Sequence, residues 1–167
     1  MKSNIILIGM PGVGKTTLGI ALARTLSRPH IDSDDLVAQH VAMPVAQYIK
    51  ERGISEFKQI ESQVLLNTQL TDHIISTGGS VVYMTHVVEH LKTIGTMVYL
   101  ENNYPIIEQR ILASPRALVI KEGQSLEQLY LERVALYKKY ADITVNLEHL
   151  DVDSSVQKLI KQLGLKW

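Results

Sequence analysis

The chain has 167 residues, 46% of them hydrophobic, which fits a single domain spanning 1–167 with a sizeable core. Seventeen Lys and Arg offset seventeen Asp and Glu, so the basic footprint of a nucleic-acid binder or a membrane-surface protein is missing and a small-molecule partner is expected. Cysteine is absent, which excludes disulfides, thiolate metal sites and cysteine nucleophiles.

A first strand is expected over Asn4 to Ile8, where Ile5-Ile6-Leu7-Ile8 runs straight into Gly9-Met10-Pro11-Gly12-Val13-Gly14-Lys15-Thr16 and then a helical stretch from Thr17. Strand, glycine loop and helix in that order make a phosphate-binding loop. Its glycines let successive backbone N–H groups turn inward towards anionic oxygens, the helix N-terminus adds partial positive charge, and Lys15 can reach the outer phosphates. Thr16 offers a hydroxyl to a magnesium ion. Chance would produce this pattern in about one chain of this length in a few hundred. The apolar run is too short to span a membrane, and its removal as a signal would destroy the loop, so a cytoplasmic protein is expected.

A second strand falls around His30 to Asp32, followed by Ser33-Asp34-Asp35. Asp32 and Asp34, two apart at a strand end, point roughly the same way, and both can face the crevice that Lys15 enters. One can then serve a metal ion's water shell and the other an acceptor hydroxyl. The competing reading is helix capping, for which Asp34 or Asp35 is well suited. A third strand over His73 to Ser76 leads into Thr77-Gly78-Gly79-Ser80, with no aspartate at the strand end. The paired glycines suit either a ligand approaching the backbone or a plain turn.

Further strands are expected at Thr96 to Leu100 and Ile143 to Val145. Tyr104 before Pro105 opens one helix, Ser125 with Gln128 forms a capping box for another, and Val156, Leu159, Ile160 and Leu163 give the last an apolar packing face ended by Gly164. Alternation of short strands and helices predicts an α/β fold: a five-stranded parallel sheet with helices on both faces and ligands beyond the strands' carboxyl ends.

Taken together, the phosphate loop, Asp32-Ser33-Asp34, Glu56-Phe57-Lys58 with Glu61, Thr77-Gly78-Gly79, Arg110, Arg116 and Glu132-Arg133-Val134-Ala135-Leu136-Tyr137-Lys138-Lys139-Tyr140-Ala141-Asp142 resemble shikimate kinase in order and spacing. The resemblance covers nearly the whole chain. It implies a three-layer P-loop kinase fold of the nucleoside monophosphate kinase type, with an acceptor-binding region at about 32–61 and a mobile lid at about 112–124. It also implies a monomer that uses ATP and Mg2+ to phosphorylate shikimate to shikimate 3-phosphate. Position by position, Gly12, Val13, Gly14, Lys15, Thr16 and Thr17 match the nucleotide contacts, and Arg110 the arginine beside the adenine. Thr16 and Asp32 match the metal side, while Asp34 matches the carboxylate at the reacting hydroxyl. Arg116 is the expected lid arginine, and Lys15, Asp34 and Arg116 the expected catalytic set. Asp34, Lys58, Gly78, Gly79, Ser80 and Arg133 are the expected acceptor contacts, Arg133 gripping a carboxylate.

The chain departs from that family's pattern in places. Lys58 replaces an arginine and cannot make a two-pronged carboxylate contact; Ser80 replaces a third glycine; Ala117 and Ala135 replace prolines. If Lys58 is only a weaker clamp and Ser80 only crowds the pocket, Lys58→Arg and Ser80→Gly should each improve use of shikimate. Two other readings are a related kinase for another polyhydroxylated carboxylic acid and a nucleotide-binding protein with weak or no transfer.

Overall fold

The computed structural model describes residues 3–114 and 118–165. Strands β1 (Asn4–Ile8), β2 (His30–Asp32), β3 (Ile74–Ser76), β4 (Gly95–Glu101) and β5 (Ile143–Asn146) form one parallel sheet in the order β2-β3-β1-β4-β5. Helices α1 (Lys15–Leu26), α2 (Ser33–Val41), α3 (Val45–Leu66), α4 (Thr85–Ile94), α5 (Tyr104–Ala113), α6 (Leu126–Tyr140) and α7 (Val152–Gln162) connect and follow the strands. Each expected strand is present within a residue or two of its expected limits, and α1 begins at Lys15, two residues earlier than expected.

β1 lies at the centre, between β3 and β4, and every residue of it is buried. Burial on both faces explains why it reads as an unbroken apolar run rather than an alternating one. Its polar member, Asn4, is fully satisfied: Nδ2 donates to the Leu70 and Ile94 carbonyls and Oδ1 accepts from the His73 N–H. The register pairs Leu7 with Ser76, so the phosphate loop leaving β1 and the glycine turn leaving β3 emerge side by side. Thr77 ties them, donating from both its N–H (3.2 Å) and its hydroxyl (2.9 Å) to the Leu7 carbonyl.

The main core surrounds the sheet, and a second apolar cluster of Val37, Tyr48 and Phe57 sits between α2 and α3. Thus the expected acceptor-binding region has its own small core. α3 is broken at Gly53 (φ 86°, ψ 164°), and the Tyr48 hydroxyl donates across the break to Glu56 Oε1 at 2.8 Å. The capping box at Ser125 and Gln128 forms as expected, and no described helix is long and apolar enough to cross a membrane.

α6 carries Tyr137 into the core, where its ring stacks on Tyr99 (centroids 5.1 Å apart) and its hydroxyl donates to the Gly79 carbonyl at 2.5 Å. Burial pushes the Tyr137 phenol far above its ordinary range, so it stays a neutral donor. Tyr137→Phe keeps the stack but leaves a buried carbonyl without this donor, which should cost about 1–3 kcal/mol. A lower urea midpoint at unchanged m-value is the expected result.

Candidate active site

At the loop's end, Gly14 (φ 104°) is the N-cap of α1, in a backbone conformation that favours glycine, and no side chain caps the helix. The first-turn amides of α1, including those of Thr16 and Thr17, therefore form a seat for an anion. Lys15 is buried along the loop, its Nζ donating to the Gly9 and Met10 carbonyls at 2.8 Å each. Val13 lines the cleft while anchoring the loop. Its N–H closes a turn onto the Met10 carbonyl at 3.2 Å and its side chain belongs to the core. The carbonyls of Gly12 and Val13 accept from Arg110 Nη1 at 3.1 and 3.2 Å, which places Arg110, on α5, at the loop's outer edge.

In the aspartate segment, the two oxygens of Asp32 have different partners. Asp32 Oδ1 accepts from the Asp34 N–H at 3.0 Å and so caps α2, while Oδ2 accepts from the Thr16 hydroxyl at 2.8 Å. The cap is therefore Asp32 and not Asp34 or Asp35. Asp34 lies in the first turn of α2 rather than on the strand, so the helix start, and not strand alternation, brings both carboxylates to the cleft. Confinement in the cleft, then the charges of Asp32 and Glu61, push the Asp34 carboxyl up to about 6, with Lys58 opposing.

Buried hydroxyls beneath these groups fix the backbone. The Ser33 hydroxyl accepts the Gly78 N–H at 3.0 Å, tying the aspartate segment to the glycine turn. Ser76 donates to the Lys15 carbonyl at 3.0 Å, which leaves its lone pair for His30 Nε2 at 2.9 Å. Burial lowers the His30 pKa, so this imidazole is a neutral N–H donor at pH 7.

Across the turn, Lys58 Nζ donates to Glu61 Oε2 at 2.6 Å and also to the Ser80 hydroxyl. Two of the positions at which the chain departs from the family pattern, 58 and 80, are thus in direct contact. Arg133, on α6, is 1% exposed. Its Nη2 donates to the Val119 carbonyl at 2.7 Å, its Cζ lies 5.5 Å from the Tyr83 ring centre, and Nε has no hydrogen-bond partner. Among the described residues no carboxylate pairs with it. The adjacent Glu132 is taken by Tyr83, Lys121 and Gln124.

One cleft of about 770 Å³ is lined by Gly12, Val13, Gly14, Lys15, Thr16, Thr17, Asp32, Asp34, Lys58, Gly78, Gly79, Ser80, Arg110 and Arg133. Every expected site residue except Arg116 is therefore on one wall or another of it. Arg116 lies outside the described residues, and of the expected lid the structure describes 112–114 and 118–124. Residues of the cleft that the sequence reading passed over include Val45, Ile49 and Ile54, an apolar wall from α3, and Leu147, Leu150 and Val152 at the other end. The last helix, expected only to pack, contributes its first turn to the cleft. The rule that ligands bind beyond strand ends applies to β5 as well and would have found it.

The Thr16 hydroxyl and Asp32 carboxylate are hard oxygen donors 2.8 Å apart beside the anion seat. No cluster of three or more His, Cys, Asp or Glu suited to a metal occurs among the described residues. That set suits Mg2+, which keeps most of its waters and takes phosphate oxygens, rather than a cation needing an all-protein cage.

The Shikimate kinase family model matches residues 11–164. The chain belongs to the shikimate kinase family. It is 32% identical over 167 residues to a shikimate kinase of Dechloromonas aromatica, covering 98% of this chain and 91% of that one. A solved shikimate kinase from Acinetobacter baumannii in complex with shikimate superposes with a TM-score of 0.86 at 29% identity, covering 96% of this chain and 92% of that chain. The shikimate kinase of Bacteroides thetaiotaomicron gives 0.80 at 30% identity, over 97% and 98% of the two chains. Family membership makes the chain a kinase and its cleft the place to look for two substrates.

The raised Asp34 carboxyl has a cost that can be measured without substrate. Between an unfolded value of about 3.9 and the folded value of about 6, the folded state holds more protons, so stability is fully present below the lower value and is lost as pH rises through the upper. Asp34→Asn mimics the protonated form. In buffer with chelator it should melt above wild type at pH 7.5, and the gap should close as pH falls towards 4; an unchanged melting temperature at pH 7.5 would contradict this.

Proposed function

We propose that the chain transfers the terminal phosphoryl group of ATP to a ring hydroxyl of shikimate, giving shikimate 3-phosphate and ADP. The observation that carries the reading is Arg133. A guanidinium buried to 1% exposure with no carboxylate partner among the described residues is costly unless a ligand supplies the countercharge, and its planar fork suits a carboxylate. It shares the cleft with the anion seat of α1 and with Asp34, so a molecule carrying a carboxylate and hydroxyls can bridge the two ends.

In the reaction the acceptor oxygen bonds to the terminal phosphorus as the bond from that phosphorus to the bridging oxygen of ADP breaks, and the hydroxyl proton passes to Asp34. A carboxyl near 6 is largely ionised at neutral pH and is a competent proton acceptor. The remaining work is charge stabilisation and positioning. The amides of α1 and Lys15 serve the phosphates, Lys15 exchanging the Gly9 and Met10 carbonyls for phosphate oxygens, and Arg110 serves the nucleotide end. Thr16 and Asp32 would hold Mg2+, which supplies charge neutralisation on the phosphates. Arg116 is assigned as the lid arginine on the family resemblance alone.

A coupled assay of ADP release with shikimate, quinate, gluconate and nucleoside monophosphates tests the reading. Saturable turnover is expected with shikimate, and Arg133→Met should raise its KM by about a hundredfold or more, the loss of a two-pronged charged contact, with little change for ATP. Saturable turnover only with another acceptor, or equal loss for both substrates in Arg133→Met, would overturn it.

A further inference from the structure

We propose that Ser80 is a specificity-determining residue that acts with Lys58 as a composite two-donor clamp on the acceptor's carboxylate, one prong charged and one neutral. This rests on the acceptor being a carboxylate, as argued above, and goes beyond it by assigning the recognition to a pair of side chains rather than to Lys58 as a weakened arginine.

The ammonium of Lys58 has three N–H groups. Glu61 Oε2, on a side chain 1% exposed, takes one at 2.6 Å, and the Ser80 hydroxyl takes a second. The third is left for the cleft that Lys58 lines. Ser80 is 6% exposed and lines the same cleft. Because its oxygen accepts from Lys58, its own proton is available to donate. An N–H and an O–H held side by side in this way offer two donors, as a guanidinium fork does, at the reach of a shorter side chain. The φ of Ser80 is negative (φ −93°, ψ 2°), so the position does not require glycine.

Contact between the residues changes what substitution at either should do. An arginine at 58 is longer and forked, and its fork would meet the Ser80 hydroxyl that the Lys58 ammonium already touches and disturb the pairing with Glu61. Glycine at 80 makes room but removes the neutral prong and one of the anchors of Lys58. Each single change therefore impairs the clamp, whereas the two together replace it with a guanidinium that has space. This reverses the expectation from sequence that each change alone would help.

The test is a cycle of wild type, Lys58→Arg, Ser80→Gly and the double variant, with Ser80→Ala added, each assayed for KM and kcat with shikimate at saturating ATP and for KM of ATP. Each single variant should raise the shikimate KM by about tenfold, the loss of one hydrogen bond to a charged group, with the ATP KM unchanged. The double variant should fall at least about tenfold below the product of the single effects. Ser80→Ala keeps the Cβ and removes the hydroxyl, so it should resemble Ser80→Gly. The clamp is overturned if wild type turns over shikimate but the effects multiply independently, if Lys58→Arg alone lowers KM, or if Ser80→Ala behaves as wild type. Absence of saturable shikimate turnover by wild type would instead sink the acceptor assignment itself, and the clamp with it.

Discussion

A Cβ at position 79 would stand 2.7 Å from Pro11 Cδ and 3.1 Å from Arg133 Nη1. The phosphate loop and the buried Arg133 both crowd the space where a side chain at 79 would stand, and only a residue without one lets them approach so closely. The arrangement begins in the sheet. Pairing of Leu7 with Ser76 sets the loop of β1 beside the turn of β3, Ser33 and Thr77 pin that turn from beneath, and Tyr137 holds its last carbonyl from α6. A shift of one residue in strand register would move the two substrate ends out of line. Geometry at this turn is what places the anion seat of α1 and the buried Arg133 in one cleft.

Charge in the cleft is balanced for ligands rather than for the unliganded protein. Arg133 is buried with no carboxylate partner among the described residues, and Asp34 is held near 6 by confinement and by Asp32 and Glu61. Burying the guanidinium and raising the carboxyl each cost stability in the protein without ligands. In the proposed reaction a substrate carboxylate would supply the charge missing at Arg133, and the reacting hydroxyl would use the raised Asp34 carboxyl. Stability given up at these positions is the usual accompaniment of a preorganised site. Lys58 shows the opposite solution: Glu61 and Ser80 keep its ammonium hydrogen-bonded before any acceptor arrives.

Much of this was legible in the chain. The strands were, because a sheet covered on both faces demands short apolar runs, and the phosphate loop was, because its glycines and lysine have few other uses. Neighbouring groups defeated the rest. The capping and functional readings of the aspartates looked exclusive, yet Asp32 has two oxygens, one capping α2 and the other on the Thr16 hydroxyl beside the anion seat. The order Asp32-Ser33-Asp34 suggested strand alternation, but the helix starts at Ser33. Lys58 and Ser80, 22 residues apart, gave no sign of touching, and contact between side chains on different elements is what a single sequence does not encode locally. The wall from α7 was missed because its apolar periodicity accounted for the helix fully without a second role.

If the turn at Gly79 couples the two substrate sites, the most direct check is binding of a non-hydrolysable ATP analogue and of shikimate, each by calorimetry, to Gly79→Ala. A methyl group driven between Pro11 and Arg133 costs about 1–3 kcal/mol of overpacking, which either ligand can relieve only by distorting its own seat. The account predicts that a folded Gly79→Ala protein binds both ligands at least about tenfold more weakly. Wild-type affinity for both, or weakening confined to one, would contradict it.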